Sequence, residues 1–156
     1  MADLLSTLQE RDNMPEMMAM EYLPGMEGSV DLIAENGKIL YMAYRESTIN
    51  LHSIPQSGEL KENMEAYAIA EKVIKALNFT GSADLDFKND AYGHPVLMEI
   101  NPRIAATMKI FMEGGINLPY LRVKQLLGEE LPKVEIKYGV KFKRRYLEMF
   151  SSEDEE

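Results

Sequence analysis

The sequence contains no cysteine and only two histidines among its 156 residues, which limits the catalytic and metal-binding sites that it can form. Without cysteine there can be no disulfide, no thiolate metal ligand and no cysteine nucleophile. His52 and His94 stand apart from any nucleophile or metal-ligand pattern. We expect His52 to be a surface residue and His94 to be a structural one. A metal-dependent phosphatase is disfavoured, because such an enzyme needs more histidine and aspartate ligands than this pattern offers.

Positive charge and long apolar runs are scarce as well. Seventeen basic residues face 26 acidic ones, for a formal charge of -9, which argues against a surface for nucleic acid or anionic membranes. No apolar run is long enough to cross a bilayer, and the N-terminus has no signal-peptide core. We therefore expect a cytoplasmic protein that binds neither nucleic acid nor membrane. The length allows one domain with a single hydrophobic core.

Two neighbouring segments, residues 83–88 and 96–103, alternate between apolar and polar side chains. Side chains on one face of a strand recur at every second position, and the recurring positions here are polar. They are Asp84, Asp86 and Lys88 in the first segment and Glu99, Asn101 and Arg103 in the second. The turn-forming residues 89–93 lie between the segments, so the sequence predicts an antiparallel hairpin with one polar face.

This hairpin would bring the carboxylates of Asp86 and Glu99 together. Two adjacent carboxylates repel each other unless a cation or a proton lies between them. Carboxylate and amide oxygens are also the ligands that Mg²⁺ takes, usually together with substrate phosphates. A solvated strand face would explain either strand alone, whereas both strands together favour a metal site.

The hairpin residues resemble the metal-binding hairpin of the ATP-grasp superfamily, and the chain is most similar to the carbamoyl-phosphate synthase large subunit and related carboxylate–amine ligases. The resemblance implies that Glu99 bridges two Mg²⁺ (or Mn²⁺) ions. It implies further that Asp86 binds one ion and Asn101 the other. Arg103 would stabilise the transferred phosphoryl group, with Asp84 beside it.

A second stretch, residues 21–27, resembles the hinge that holds adenine in this superfamily. By that resemblance, Glu21 accepts a hydrogen bond from the adenine amino group, and the backbone of Tyr22 and Leu23 meets the ring edge. Glu27 would reach the ribose hydroxyls of ATP. Arg45, near the end of a predicted strand, would meet phosphate or the acyl substrate. A plain strand and turn, and an ordinary exposed arginine, are the alternative interpretations.

Periodicity and turn signals predict the elements along the chain. We expect helices at 1–11, 59–77, 105–113 and 118–127; strands at 17–23, 28–36, 38–45, 83–88, 96–103 and 134–150; and a loop at 46–58. The Asn36–Gly37 pair marks a hairpin turn, because a type I′ turn needs two positive φ angles. The predicted class is α+β, an antiparallel sheet covered by helices on one face, resembling the C-terminal ATP-grasp subdomain.

The resemblance divides the chain at 20–150, the C-terminal half of an ATP-grasp domain. Residues 1–19 would be the remnant of a preceding subdomain leading into the first strand, and 151–156 an acidic, disordered tail. The implied activity is that of a ligase fragment. ATP would convert a carboxylate or bicarbonate into an acyl phosphate, which an amine or ammonia then attacks.

The phosphate-binding lysine and the glycine-rich loop of the superfamily would come from the missing N-terminal half, in cis or in trans. The isolated chain is therefore expected to bind ATP weakly and to be nearly inactive. A non-catalytic α+β binding module that keeps the same scaffold is the competing hypothesis. The identities of the acid and the amine stay open.

Overall fold

The computed structural model describes residues 6, 16–51, 54–148 and 150, and it leaves the side chains of 48–51 undescribed. Within these residues the chain forms one six-stranded sheet and three helices longer than one turn. The strands are β1 Glu27–Glu35, β2 Lys38–Leu51, β3 Ile54–Lys61, β4 Gly81–Asn89, β5 Pro95–Asn101 and β6 Lys141–Lys143. The helices are α1 Met64–Ala76, α2 Met108–Glu113 and α3 Leu118–Leu126.

Every paired strand in the sheet runs antiparallel to its neighbour, in the order β5-β4-β1-β2-β3-β6. The first hairpin turns at Asn36 and Gly37, whose φ angles are +48° and +76°, as the type I′ signal predicts. The predicted α+β class with an antiparallel sheet and helical cover is confirmed.

Helix α1 covers one face of the sheet. On β1 the alternate residues Val30, Leu32 and Ala34 are fully buried and join a core with Ala70 and Ile74 of the helix. Removing this apolar surface from water is the main contribution to the stability of the layer pair. The strand positions between these residues therefore point to the opposite face.

The two short helices pack against part of that opposite face. Ile33 and Leu60 of the sheet form a second core with Ile110 and Phe111 of α2 and Leu121 of α3. The structure thus adds a helical layer on the second face to the predicted cover on the first. The polar side chains described below share this second face.

Residues 17–23 do not form the predicted strand. The segment is irregular, and Met18 and Tyr22 are 79% and 82% exposed, while Leu23 is buried. Only its end is tied to the sheet, where the Gly25 N–H donates to the Asn89 carbonyl at 2.9 Å. The apolar composition suggested a buried strand, but both edges of β1 are occupied by β2 and β4, so no neighbouring edge is left there.

The described residues of the predicted loop 46–58, which are 46–51 and 54–58, form strands instead. They complete β2 and begin β3, and Gly58 is needed because a Cβ there would clash with the Glu46 carbonyl oxygen. Glycine and proline in this stretch mark tight strand packing rather than a loop. The strand pairing also explains why α1 begins at Met64, with Asn63 as its N-cap, and not at 59.

The last predicted strand, 134–150, is mostly wrong, because within the described residues only Lys141–Lys143 pairs with a strand. The predicted helices at 105–113 and 118–127 are confirmed in shorter form. The helix predicted at 1–11 lies outside the described residues, apart from Ser6, and so do His52 and the tail 151–156. None of the described helices is long and apolar enough to cross a membrane.

Candidate functional site

The β4–β5 hairpin brings the three predicted metal residues together. Asp86 lies opposite Glu99, and Asp84 lies opposite Asn101, so all four side chains share the second face. The Asn101 Nδ2 atom donates to Asp86 Oδ2 at 3.1 Å and to Glu99 Oε1 at 2.9 Å. The amide of Asn101 therefore bridges the two carboxylates.

Arg103 lies just beyond the end of β5 and turns back to the hairpin. Its Nη1 atom is 3.2 Å from Asp84 Oδ2, in an ion pair whose arginine side chain is 54% exposed while the aspartate is 5% exposed. Asp84 therefore anchors a guanidinium that still reaches solvent. A phosphate oxygen arriving at this face would find that positive charge available.

Arg45 extends the polar row across the sheet to β2. It lies opposite Ser29 of β1, and its guanidinium donates to the hydroxyls of Ser29, at 2.6 Å, and Ser47. The residue is only 4% exposed, and its Nε atom has no hydrogen-bond partner among the described residues. A guanidinium buried to this extent and held by two hydroxyls is not the ordinary exposed arginine of the alternative interpretation.

Asp31 belongs to the same face and was not among the predicted site residues. It lies opposite Asp84, is 1% exposed, and accepts a hydrogen bond from the Ser29 hydroxyl at 3.3 Å. One oxygen of Asp31 and one of Asp84 have no hydrogen-bond partner in the described part of the chain. The signal that would have found Asp31 is the β1–β4 register, because only that pairing places it next to the hairpin carboxylates.

Burial, together with mutual repulsion, raises the pKa values of the three aspartates on this face. Burial, followed by the negative charge of Asp84, raises the pKa of Asp86 to about 7. Burial raises the pKa of Asp31 well above its ordinary value, with a further rise from Asp84 and an opposing effect of Arg45. Without a cation, protons compensate the negative charge on this face.

The oxygen ligands near Asp86 suit a hard divalent cation. Two carboxylates and an amide oxygen match the preference of Mg²⁺ and Mn²⁺ for oxygen ligands. Within the residues that the structure describes, no three acidic or histidine side chains come close enough to form a metal cage by themselves. The fit therefore depends on Asn101 as the third protein ligand and on phosphate oxygens from the nucleotide.

Comparison with known proteins assigns the chain to a family. The profile described as "ATP-grasp in the biosynthetic pathway with Ter operon" matches residues 13–146. The chain belongs to this ATP-grasp family. A comparison with curated protein sequences gives no match.

Solved structures share the fold of this ATP-grasp chain at low sequence identity. The phosphoribosylaminoimidazole carboxylase ATPase subunit from Aquifex aeolicus has a TM-score of 0.64 at 16% identity, over 75% of this chain and 37% of its own. The biotin carboxylase from Campylobacter jejuni, in complex with an ATP analogue, has a TM-score of 0.62 at 16% identity, over 74% and 29%. An L-amino acid ligase from Bacillus licheniformis has a TM-score of 0.51 at 19% identity, over 68% and 30%.

This ATP-grasp chain thus spans about a third of the length of these neighbours. The comparisons establish its fold and its family. The narrower likeness to carbamoyl-phosphate synthase stays a prediction.

The residues predicted to hold adenine and ribose lead into β1 and form its first position in this ATP-grasp chain. Glu21 and Tyr22 are exposed, Leu23 is 6% exposed, and Glu27 opens β1. The Glu27 Oε1 atom accepts from Lys88 Nζ at 3.0 Å, so the glutamate is held at the rim of the polar face. Their roles toward a nucleotide stay predictions, which are taken up as a proposal below.

Proposed function

We propose that this chain is the ATP- and Mg²⁺-binding half of an ATP-grasp ligase that activates a carboxylate or bicarbonate for attack by an amine or ammonia. The observation that carries the proposal is the bridge from Asn101 to Asp86 and Glu99, which gathers three oxygen-bearing side chains next to two arginines. Family membership supports the reaction class.

In the proposed reaction, a carboxylate oxygen of the acid attacks the γ-phosphorus of ATP. A carbon–oxygen–phosphorus linkage forms, the bond between the γ-phosphorus and the β,γ-bridging oxygen breaks, and ADP leaves. The amine nitrogen then attacks the carbonyl carbon, loses a proton and displaces inorganic phosphate. No covalent bond to the protein is needed, so the work of the side chains is positioning and charge stabilisation.

Glu99, Asp86 and Asn101 are proposed to hold the divalent ion, with Glu99 shared between two ions. Mg²⁺ or Mn²⁺ bound there would neutralise phosphate charge. For Asn101 to serve as a ligand, its amide would turn so that Oδ1 replaces Nδ2 toward the carboxylates. Metal binding would also displace the proton that Asp86 holds near neutral pH.

Arg103 and Arg45 are proposed to contact the transferred phosphoryl group or the acid. Arg103 is fixed by Asp84 and half exposed, which suits contact with a group that enters and leaves. Arg45 is buried and fixed by two serines, which suits a constant positive potential beneath the reacting atoms.

Glu21, Tyr22, Leu23 and Glu27 are proposed to bind the adenosine moiety. Residues 21–23 lie outside the strands and make no backbone hydrogen bond among the described residues, so their N–H and C=O groups are available to a ring edge. Glu27 is paired within β1 and would contribute its side chain. The remaining contacts to the phosphates would come from the N-terminal half of the enzyme. The chain on its own should therefore bind nucleotide weakly and catalyse little.

Calorimetry of Mg²⁺-ATP binding to wild type and Glu99→Gln tests the proposal. We expect weak binding by wild type, in the range accessible at millimolar nucleotide, and at least a tenfold loss in Glu99→Gln because one ion ligand loses its charge. Glu71→Gln, an exposed change on α1 at the other face, is the matched control and should bind like wild type. Equal binding by all three proteins, or no binding by wild type, would favour the non-catalytic module instead.

A further inference from the structure

A groove of about 570 Å³ lies between α2 and β6. It is lined by Thr107, Lys109 and Ile110 on one side and by Phe142, Lys143 and Arg144 on the other, among other residues. Ile110 and Phe142 pack into the core on the second face of the sheet, so the groove shares that face with the carboxylate and arginine row. None of the predicted nucleotide or metal residues lines it.

Two polar side chains of the groove have no partner among the described residues. Thr107 is 6% exposed, and its Oγ1 atom has no hydrogen-bond partner among the described residues. The Lys109 ammonium makes no ion pair or hydrogen bond in the same part of the chain. Arg144 is anchored, because its Nε atom donates to the Pro55 carbonyl at 2.9 Å. A buried hydroxyl without a protein partner is uncommon, and a water molecule or a ligand atom would satisfy it.

The charge of the groove is opposite to that of the chain. Four of its ten lining residues are basic and one, Glu113, is acidic, in a protein with a formal charge of -9. One of the four, Lys141, is engaged with Glu59 at 3.6 Å, and Lys143 shares its side of β6, opposite to that of Phe142, which leaves Lys109 and Arg144 to set the potential. A local concentration of positive charge attracts an anion.

The size and the apolar lining of the groove distinguish between two kinds of acid. Ile110, Val140 and Phe142 present hydrocarbon surface, which bicarbonate has no apolar part to cover. A volume of this size lies within the roughly 300–1,000 Å³ of ordinary small-molecule sites. The groove therefore suits an organic carboxylate whose anionic end meets the basic residues and whose body covers the apolar floor.

The groove is close enough to the proposed phosphoryl site to serve it. Thr107 is four positions after Arg103, so their Cα atoms lie at most about 14 Å apart. On the sheet, Phe142 lies opposite Gly58 and Gly58 opposite Ser47, which accepts a hydrogen bond from Arg45. Two strand spacings amount to about 10 Å.

We infer that the groove between α2 and β6 holds the acid co-substrate and that this acid is an organic carboxylate, not bicarbonate. The role of this acid as a co-substrate rests on the proposed function, since it would be the acid that ATP activates. The binding of a carboxylate in the groove does not depend on the proposed function, because it is inferred from the residues of the groove alone.

The test is methyl and amide NMR on the full chain. Hexanoate, benzoate, succinate and bicarbonate are titrated separately to 20 mM at constant ionic strength. We expect at least one organic acid to shift the Ile110 methyl signal in a saturable way while the Ile74 methyl, in the core beneath α1, stays in place. Bicarbonate should leave Ile110 unchanged. Lys109→Glu should weaken binding of the responding acid at least tenfold, whereas Lys72→Glu, with the same charge change on α1, should not.

No response to any of the three organic acids, or an equal response to bicarbonate, would overturn the inference. A response unaffected by both Lys109→Glu and Thr107→Val would do the same. Mg²⁺-ATP is titrated in parallel and followed at the Asn101 amide. A shift there with a silent Ile110 rejects the groove and leaves the ligase proposal standing. The reverse pattern keeps the groove as a carboxylate site and rejects the nucleotide proposal.

Discussion

Asp31, Asp84 and Asp86 crowd negative charge onto one face of a sheet, at a cost to stability. Asp31 and Asp84 are almost fully buried, and each leaves one carboxylate oxygen without a hydrogen-bond partner among the described residues. A buried charge without full compensation destabilises the folded state. A cation that neutralises it would explain such a cluster, and this is the role of the proposed metal ion.

Replacing Asp86 by Asn should stabilise the metal-free protein at alkaline pH. The folded-state pKa of about 7 exceeds the ordinary value of 3.8, so the folded protein binds this proton more tightly than the unfolded chain does. Stability is therefore lost as the pH rises from about 4 to 7. Because Asp86 is only partly buried, we discount for solvent screening and expect a gain of about 1 kcal/mol at pH 8.

The measurement is thermal unfolding in EDTA at pH 5 and pH 8. The melting temperature of Asp86→Asn relative to wild type should be higher at pH 8 by roughly 2–4 °C. Asp90→Asn is the control, since the backbone N–H groups of His94 and Tyr92 lower the pKa of that exposed carboxyl. Its change in melting temperature should be the same at pH 5 and pH 8, because both lie above the ordinary pKa of an aspartate. A Tm difference for Asp86→Asn that does not depend on pH would contradict the assigned pKa.

At the scale of elements, the sequence predicted correctly those segments in which apolar and polar residues recur regularly and turn-forming residues mark the ends. The hairpin of β4 and β5 has the predicted register, with Asp86 opposite Glu99, and α1 has the predicted apolar stripe. The strand predicted at 17–23 failed because apolar composition does not supply a pairing partner. Most of β3 was missed because its Pro55 and Gly58 are locally typical of a loop, and only pairing with β2 makes them a strand.

The contribution of the N-cap of α1 to stability can be measured separately from the proposed site. The Asn63 Oδ1 atom accepts from the Ala66 N–H at 3.0 Å, which satisfies one of the free donors at the start of the helix. Asn63→Ala should lower the free energy of unfolding by about 1 kcal/mol, read from urea denaturation. Asn63→Asp keeps an acceptor at the same atom and should cost little. Equal losses in both variants would show that the cap does not act through this hydrogen bond.

At the scale of the whole molecule, the sheet displays groups from four strands along one polar row. Asn101 and Glu99 of β5 come first, followed by the aspartates of β4 and β1 and then by Arg45 of β2. The hairpin members of this row could be predicted, because they are close in sequence and share a turn. Asp31 and the serines that hold Arg45 could not, because their placement depends on the register between strands distant in sequence.

The length of the chain bears on whether it could turn over substrate by itself. It spans about a third of the length of its structural neighbours, and it provides the polar face without an opposing wall among the described residues. A half-site of this kind can show metal and nucleotide binding before it shows turnover. Binding measurements are therefore more direct than activity measurements.

Paramagnetic broadening by Mn²⁺ tests the central claim most directly. Mn²⁺ takes the same oxygen ligands as Mg²⁺, and it broadens NMR signals of nearby nuclei. With ATP present and Mn²⁺ far below stoichiometric, the amide signals of Asp86, Glu99 and Asn101 should broaden first, and Glu99→Gln should remove the effect. Broadening centred elsewhere, such as on the acidic residues 153–156, or unchanged in Glu99→Gln, would contradict a metal site on this hairpin.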